Sequence, residues 1–139
     1  MLILDTNVLS ETMQPAPSPR ALEWWDQQQS TELFITSVTV AEILYGIELV
    51  PQGKRRTALI AGADRMFARV FSGHILAFDE NAARQFAEIA AGRRALGRPI
   101  AEFDAQIAAI ASAHRATLAT RNTADFDGCG LRLLNPWRD

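Results

Sequence analysis

The sequence predicts an α/β fold: a parallel sheet of about five strands flanked by helices. Three observations carry this. Residues 2–4 read Leu-Ile-Leu, a continuous apolar run of the kind expected for a parallel strand buried on both faces. Short apolar runs then alternate with longer segments of helical period, the pattern of a parallel sheet with right-handed crossovers. No internal repeat, low-complexity tract or linker breaks that order, so residues 1–139 are expected to form one domain.

Taken in order, the first strand spans Leu2–Asp5 and a proline-rich stretch follows from Pro15 to Pro19. A helix runs from Pro19 or Arg20 to about Gln28, with proline suited to its first turn. Leu33–Thr36 is the second strand. Ser37 or Thr39 caps a long helix to about Val50, which Pro51-Gln52-Gly53 stops. Residues 54–71 form an arginine-rich amphipathic helix, and Ile75–Phe78 the third strand. Asp79 caps the helix Glu80–Leu96, and Gly97-Arg98-Pro99 breaks it. Glu102–His114 is an alanine-rich helix, Thr117–Ala119 the fourth strand and Leu131–Leu134 the fifth.

Composition narrows the function. With 48% hydrophobic residues in 139, the chain can bury a core. A net charge of −2 gives no global basic field for nucleic acid. Lys54 is the only lysine, so the cations are almost all arginine, which forms bidentate contacts to carboxylate and phosphate. The single Cys129 excludes an intrachain disulfide and fits a reducing cytoplasm. Residues 1–13 lack a basic start, so no signal peptide is expected, and no apolar run is long enough to span a membrane.

The informative feature is a set of four acids. Asp5 ends the first strand, and ligands of open α/β sheets sit beyond the carboxyl ends of strands. Glu42 lies on the helix after the second strand. That helix is apolar almost all round, so it is expected to be buried. An ordinary alternative exists for Glu42, because Thr39-x-x-Glu42 matches a capping box. Asp104 opens the helix 102–114 on the same stripe as Ile107, Ala108 and Ala111. A helix-dipole role explains an acid near the helix start but not one facing the core. Asp125 follows the fourth strand, where an Asx turn is the plainer explanation, and Asp127 is a rival for its role.

As a set, all four are candidates for one carboxyl edge of the sheet. No obvious cation in the sequence answers Asp5, and four clustered carboxylates repel strongly unless a cation neutralises them. Hard oxygen ligands suit Mg²⁺ or Mn²⁺. Such an ion activates water and stabilises phosphoryl charge, so phosphodiester hydrolysis is the expected chemistry.

These residues carry a resemblance. The chain resembles PIN-domain ribonucleases of the VapC toxin type, the FitB-like branch in particular. The matching pieces are LDTNV at residues 4–8 with Ser10-Glu11, then Ser37-Val38-Thr39-Val40-Ala41-Glu42. Asp104-x-x-Ile107-Ala108-Ala109 follows, then Thr120-Arg121-Asn122-x-x-Asp125-Phe126, and last Asn135-Pro136-Trp137. The resemblance covers essentially the whole chain and implies a three-layer PIN-like fold. It implies metal-dependent endonucleolytic cleavage of RNA by Asp5, Glu42, Asp104 and Asp125. Asp5, Asp104 and Asp125 would hold the metal, and Thr6, Ser37, Thr120 and Asn122 would be polar helpers. Phe103 stands before Asp104 where relatives commonly carry a small residue. A cytoplasmic toxin implies a cognate antitoxin, here with a basic tail suited to an acidic crevice. A homodimer is expected from the resemblance and from the apolar surface around Trp24, Trp25 and residues 38–50.

Rival functions fare worse. An aspartyl phosphatase or phospho-receiver wants a second Asp and a lysine near the strand end, where Asn7 stands and lysine is absent. A non-enzymatic nucleotide-binding module wants a glycine-rich turn after the first strand, which Thr6-Asn7-Val8 is not. Cys129 between glycines, with two distant histidines, His74 and His114, supports no cysteine hydrolase. A related nuclease acting in RNA processing or on DNA remains the alternative.

Overall fold

A computed structural model describes residues 1–139. Five parallel strands form the sheet: β1 (Leu2–Leu4), β2 (Leu33–Thr36), β3 (Ile75–Leu76), β4 (Thr117–Ala119) and β5 (Arg132–Leu134). Their spatial order is β3-β2-β1-β4-β5. The central strand β1 pairs Ile3 with Phe34 on one side and with Leu118 on the other. The order reverses between β1 and β4. A crevice therefore opens at the carboxyl ends of these two strands, where the connections diverge to opposite faces.

Six α-helices flank the sheet: α1 (Thr6–Thr12), α2 (Pro19–Asp26), α3 (Ser37–Glu48), α4 (Lys54–Arg65), α5 (Glu80–Ala95) and α6 (Glu102–Ala113). Successive strand residues point to opposite faces, and two cores result. Ile3 and Leu118 pack with Ile107, Ala108 and Ile110 of α6 and Ile89 of α5. Leu4, Leu33 and Ile35 pack on the other face with Leu9, Trp24, Ile43, Ile47 and Phe71. Helix layers on both faces of one sheet give the expected three-layer arrangement. No helix is long and apolar enough to cross a membrane.

Several boundaries differ from expectation. The sequence gives no helix after the first strand, yet α1 begins at Thr6, with Asp5 as its N-cap accepting from Thr6 N at 2.8 Å. Thr36, rather than Ser37 or Thr39, caps α3 by accepting from Thr39 N at 3.1 Å. The helix expected over 54–71 is α-helical only to Arg65 and closes with a π turn at Met66–Val70. The third strand is two residues long, and Phe78 beyond it meets Phe86 edge-on, 5.9 Å between centroids. Helix α3 is not buried all round: Tyr45 and Leu49 are 65% and 67% exposed. Trp24 is buried, and Trp25 packs edge-on against Phe71, so the tryptophans serve the core rather than an outer surface.

Candidate active site

The first residue past β1 is Asp5, only 4% exposed. Its Oδ1 caps α1, and its Oδ2 accepts from Thr120 Oγ1 at 2.7 Å and from Asn7 Nδ2 at 3.0 Å. Burial pushes this carboxyl above its ordinary value, and the nearby charge of Glu42 adds to the rise. The hydrogen bonds from Thr120, Thr6 and Asn7 oppose it. Thr120 stands at the end of β4, so this contact bridges the two strands at which the sheet order reverses. Asn7 adds a second bridge, since its Oδ1 accepts from Arg121 N at 3.1 Å.

Glu42 approaches from α3, half-buried. It does not close a capping box with Thr39, whose N–H is already given to Thr36. Its Oε1 accepts instead from Thr6 Oγ1 at 2.7 Å, across from α3 to α1. The hydroxyls of Thr6 and Thr39 lie 3.0 Å apart, and Thr36 Oγ1 stands behind at 3.4 Å from Thr39 Oγ1. Three threonines thus orient one carboxylate.

Asp104 lies half-buried in the first turn of α6. Its pKa is raised from 3.8 to about 6, first by burial, then by the charges of Asp5 and Asp125, with Arg93 pulling the other way. The three aspartates therefore feel one another. Asp104 and Glu42 also line a single hollow of about 370 Å³, together with Phe103. Asp125 is exposed in a 3-10 turn, Thr123–Phe126, after β4. Asp127 is exposed and engaged elsewhere: Arg98 pairs with it at 3.0 Å and holds its carboxyl below the usual range. No trio of His, Cys, Asp or Glu side chains is closed around a point that an ion would fill.

Of the remaining sequence-derived residues, Thr6 and Thr120 touch the acids directly. Asn122 is exposed and gives only its backbone N–H, to Thr120 Oγ1 at 3.1 Å. Ser37 is exposed in the first turn of α3, without a side-chain hydrogen bond to any of the four acids; Thr39 holds the position next to Thr6. His74 Nδ1 donates to Leu33 O at 2.8 Å and its ring stacks on Phe34, a packing role.

Three contributors were missed. Asn7 sits within the Asp-Thr-Asn run, and its polarity at a buried strand end was the available signal. Thr39 was read only as a cap. Arg93 answers the apparent lack of a cation: it is 5% exposed on α5, and its charge reaches Asp104. Its position in a helix of ordinary polarity gave no sequence signal. A larger cleft, about 470 Å³, adjoins the acids between α1, α3 and α4. Thr6, Met13, Glu42, Ile47, Arg55 and Leu59 are among its walls.

Comparison with known proteins agrees with this architecture. The PIN domain family matches residues 2–128. A VapC ribonuclease of Sinorhizobium fredii is 38% identical over 137 residues, covering 99% of this chain and 98% of the relative. Toxin FitB of Neisseria gonorrhoeae is 37% identical over 139 residues, covering all of both chains. The crystal structure of FitAcB from Neisseria gonorrhoeae superposes with a TM-score of 0.94 at 36% identity, over 100% of each chain. The match over residues 2–128 and the full-length similarity to these proteins place the chain in the PIN domain family, as a homologue of the VapC and FitB toxins.

Proposed function

We propose that this protein is a divalent-metal-dependent endoribonuclease and the toxin of a toxin–antitoxin pair. The observation that carries the reading is the half-buried carboxyl of Asp104, which burial first, and the charges of Asp5 and Asp125 second, raise to about 6. Such a cluster calls for a cation. The donor set is all oxygen, which fits Mg²⁺ or Mn²⁺. Such an ion keeps several waters and takes only one or two carboxylates directly. Asp5, Asp104 and Asp125 would hold it. When bound, the ion supplies charge for the phosphoryl oxygens and a more acidic water.

The chain's own residues do the rest. Thr120, Asn7 and the α1 amide fix Asp5 so that it needs no reorganisation. Thr6 holds one oxygen of Glu42 and leaves the other to take the proton of the attacking water as the ester oxygen departs. RNA enters along arginines, with affinity that falls as salt rises. The ribonuclease relative supports RNA as substrate, and the toxin relative supports an inhibitory partner in the same cell.

The cleft beside Glu42 suits the apolar part of an antitoxin tail, and a basic residue of that tail would reach the acids. A homodimer would cover Tyr45 of α3 and Leu49 at its C-terminal cap. An RNA substrate and a free buried thiol are consistent with the cytoplasm. The test is cleavage of structured and unstructured RNA by purified protein with Mg²⁺, with Mn²⁺ and with EDTA. Cleavage only with metal is expected. Cutting that persists in EDTA, or equal cutting of DNA, overturns the reading.

A further inference from the structure

Arg93 is the only basic side chain buried in the fold. A buried cation without a partner is strongly unfavourable, yet Arg93 makes no salt bridge. Each of its contacts is to a neutral acceptor: Nε donates to Arg98 O at 2.8 Å, and Nη1 donates to Asp125 O at 2.7 Å and lies 3.6 Å from Cys129 Sγ. The side chain thus crosses from α5 to the turn after β4. It grips that turn by the backbone carbonyl of the residue whose carboxylate belongs to the acidic set. Gly128 closes around it. That glycine has φ +79, and a Cβ there would lie 3.6 Å from Arg93 Cδ, so the chain wraps the arginine stem.

We infer that Arg93 is a positioning residue: its guanidinium latches the 123–129 turn to α5, sets Asp125 toward Asp104, and offsets the repulsion of the acids before a cation arrives. A residue that only filled core volume would be replaceable by an apolar side chain of similar length. The latch would not. Arginine suits the task because its planar fork reaches two carbonyls at once, which the single ammonium of lysine does not.

The two parts of this role oppose each other in their effect on an incoming cation. Loss of a nearby positive charge alone would tighten cation binding; loss of the latch would loosen it, because Asp125 is released. Residues that orient a metal's ligands typically matter by about 10-fold or more in affinity. The experiment uses the full chain without RNA, as wild type, Arg93→Lys and Arg93→Met. Mn²⁺ affinity is measured by calorimetry and by the electron paramagnetic resonance of free Mn²⁺. Amide hydrogen exchange is followed in parallel.

Arg93→Lys, which loses only the latch, is expected to lose about 10-fold in Mn²⁺ affinity and Arg93→Met less, both with faster exchange confined to residues 122–129. Arg93→Lys keeps the charge and decides the matter if Arg93→Met does not fold. Unchanged or tighter binding in Arg93→Lys, or unchanged exchange over residues 122–129, overturns the inference. The inference rests on the metal-dependent reading only for its consequence, and the arms separate the two. A wild-type chain that binds no Mn²⁺ defeats that reading, and unchanged exchange in 122–129 then defeats the latch on its own.

Discussion

The carboxyl of Asp104 makes a stability prediction with a defined sign. In the folded protein it titrates at about 6, against an ordinary 3.8. Between those values the folded state binds more protons than the unfolded chain, so stability falls as pH rises through this window. The penalty is absent below about 3.8 and complete above about 6. At roughly 1.4 kcal/mol for each tenfold change in proton affinity, the full displacement corresponds to about 3 kcal/mol. Asp104 is only half-buried, and solvent screening reduces this to about 1–2 kcal/mol. Asp104→Asn keeps the shape and removes the charge. In EDTA the variant is expected to be more stable than wild type by about 1–2 kcal/mol at pH 7.5 and nearly equal at pH 4. Urea denaturation at both pH values measures this, and the wild-type comparison cancels the other titrating groups. An equal difference at the two pH values, or a variant less stable at pH 7.5, would refute the account of Asp104. The same substitution should abolish RNA cleavage.

Four other outcomes follow from particular contacts and exposures. Thr120→Val removes a donor from the buried carboxylate of Asp5 and should cost about 1.5–3 kcal/mol at neutral pH; a loss below 0.5 kcal/mol by urea denaturation would show Asp5 to be satisfied elsewhere. Asp127→Asn should leave cleavage within about twofold of wild type, since exposed pairs such as Asp127–Arg98 contribute little. Asp125→Asn should abolish it, and the reverse result in a cleavage assay would reassign the fourth acid. Tyr45→Glu combined with Leu49→Glu should convert a dimer to a monomer in sedimentation without loss of folding, because both side chains already face solvent. A dimer that survives both changes places the interface elsewhere.

Much of the molecule was legible along the chain. Short apolar runs marked β1 and β2, because a parallel strand buried on both faces need not alternate, while the edge strands β3 and β5 are partly exposed. Asp5, Glu42 and Asp104 stood out as acids against an apolar pattern near a strand end or helix start, whereas Asp125 lies in a polar turn and was singled out only as one of the set. Local pattern also misled. Helix α1 is seven residues long and is set by the buried cap at Asp5 rather than by any helical period. The apolar positions of α3 suggested full burial, but a sheet covers only one side of a helix, and Tyr45 and Leu49 lie on the other. Identity of the acids was thus a property of the sequence. Their pairing was not, since Glu42 satisfies a capping-box spacing that the fold leaves unused in favour of Thr6, 36 residues away. Likewise Asp125 and Asp127 differ by two positions in the chain, and only the reach of Arg98 and Arg93 separates them. Sequence specifies which side chains carry charge. Distance, burial and the hydrogen bonds that fix a carboxylate depend on segments far apart in the chain, and so only the tertiary structure decides them.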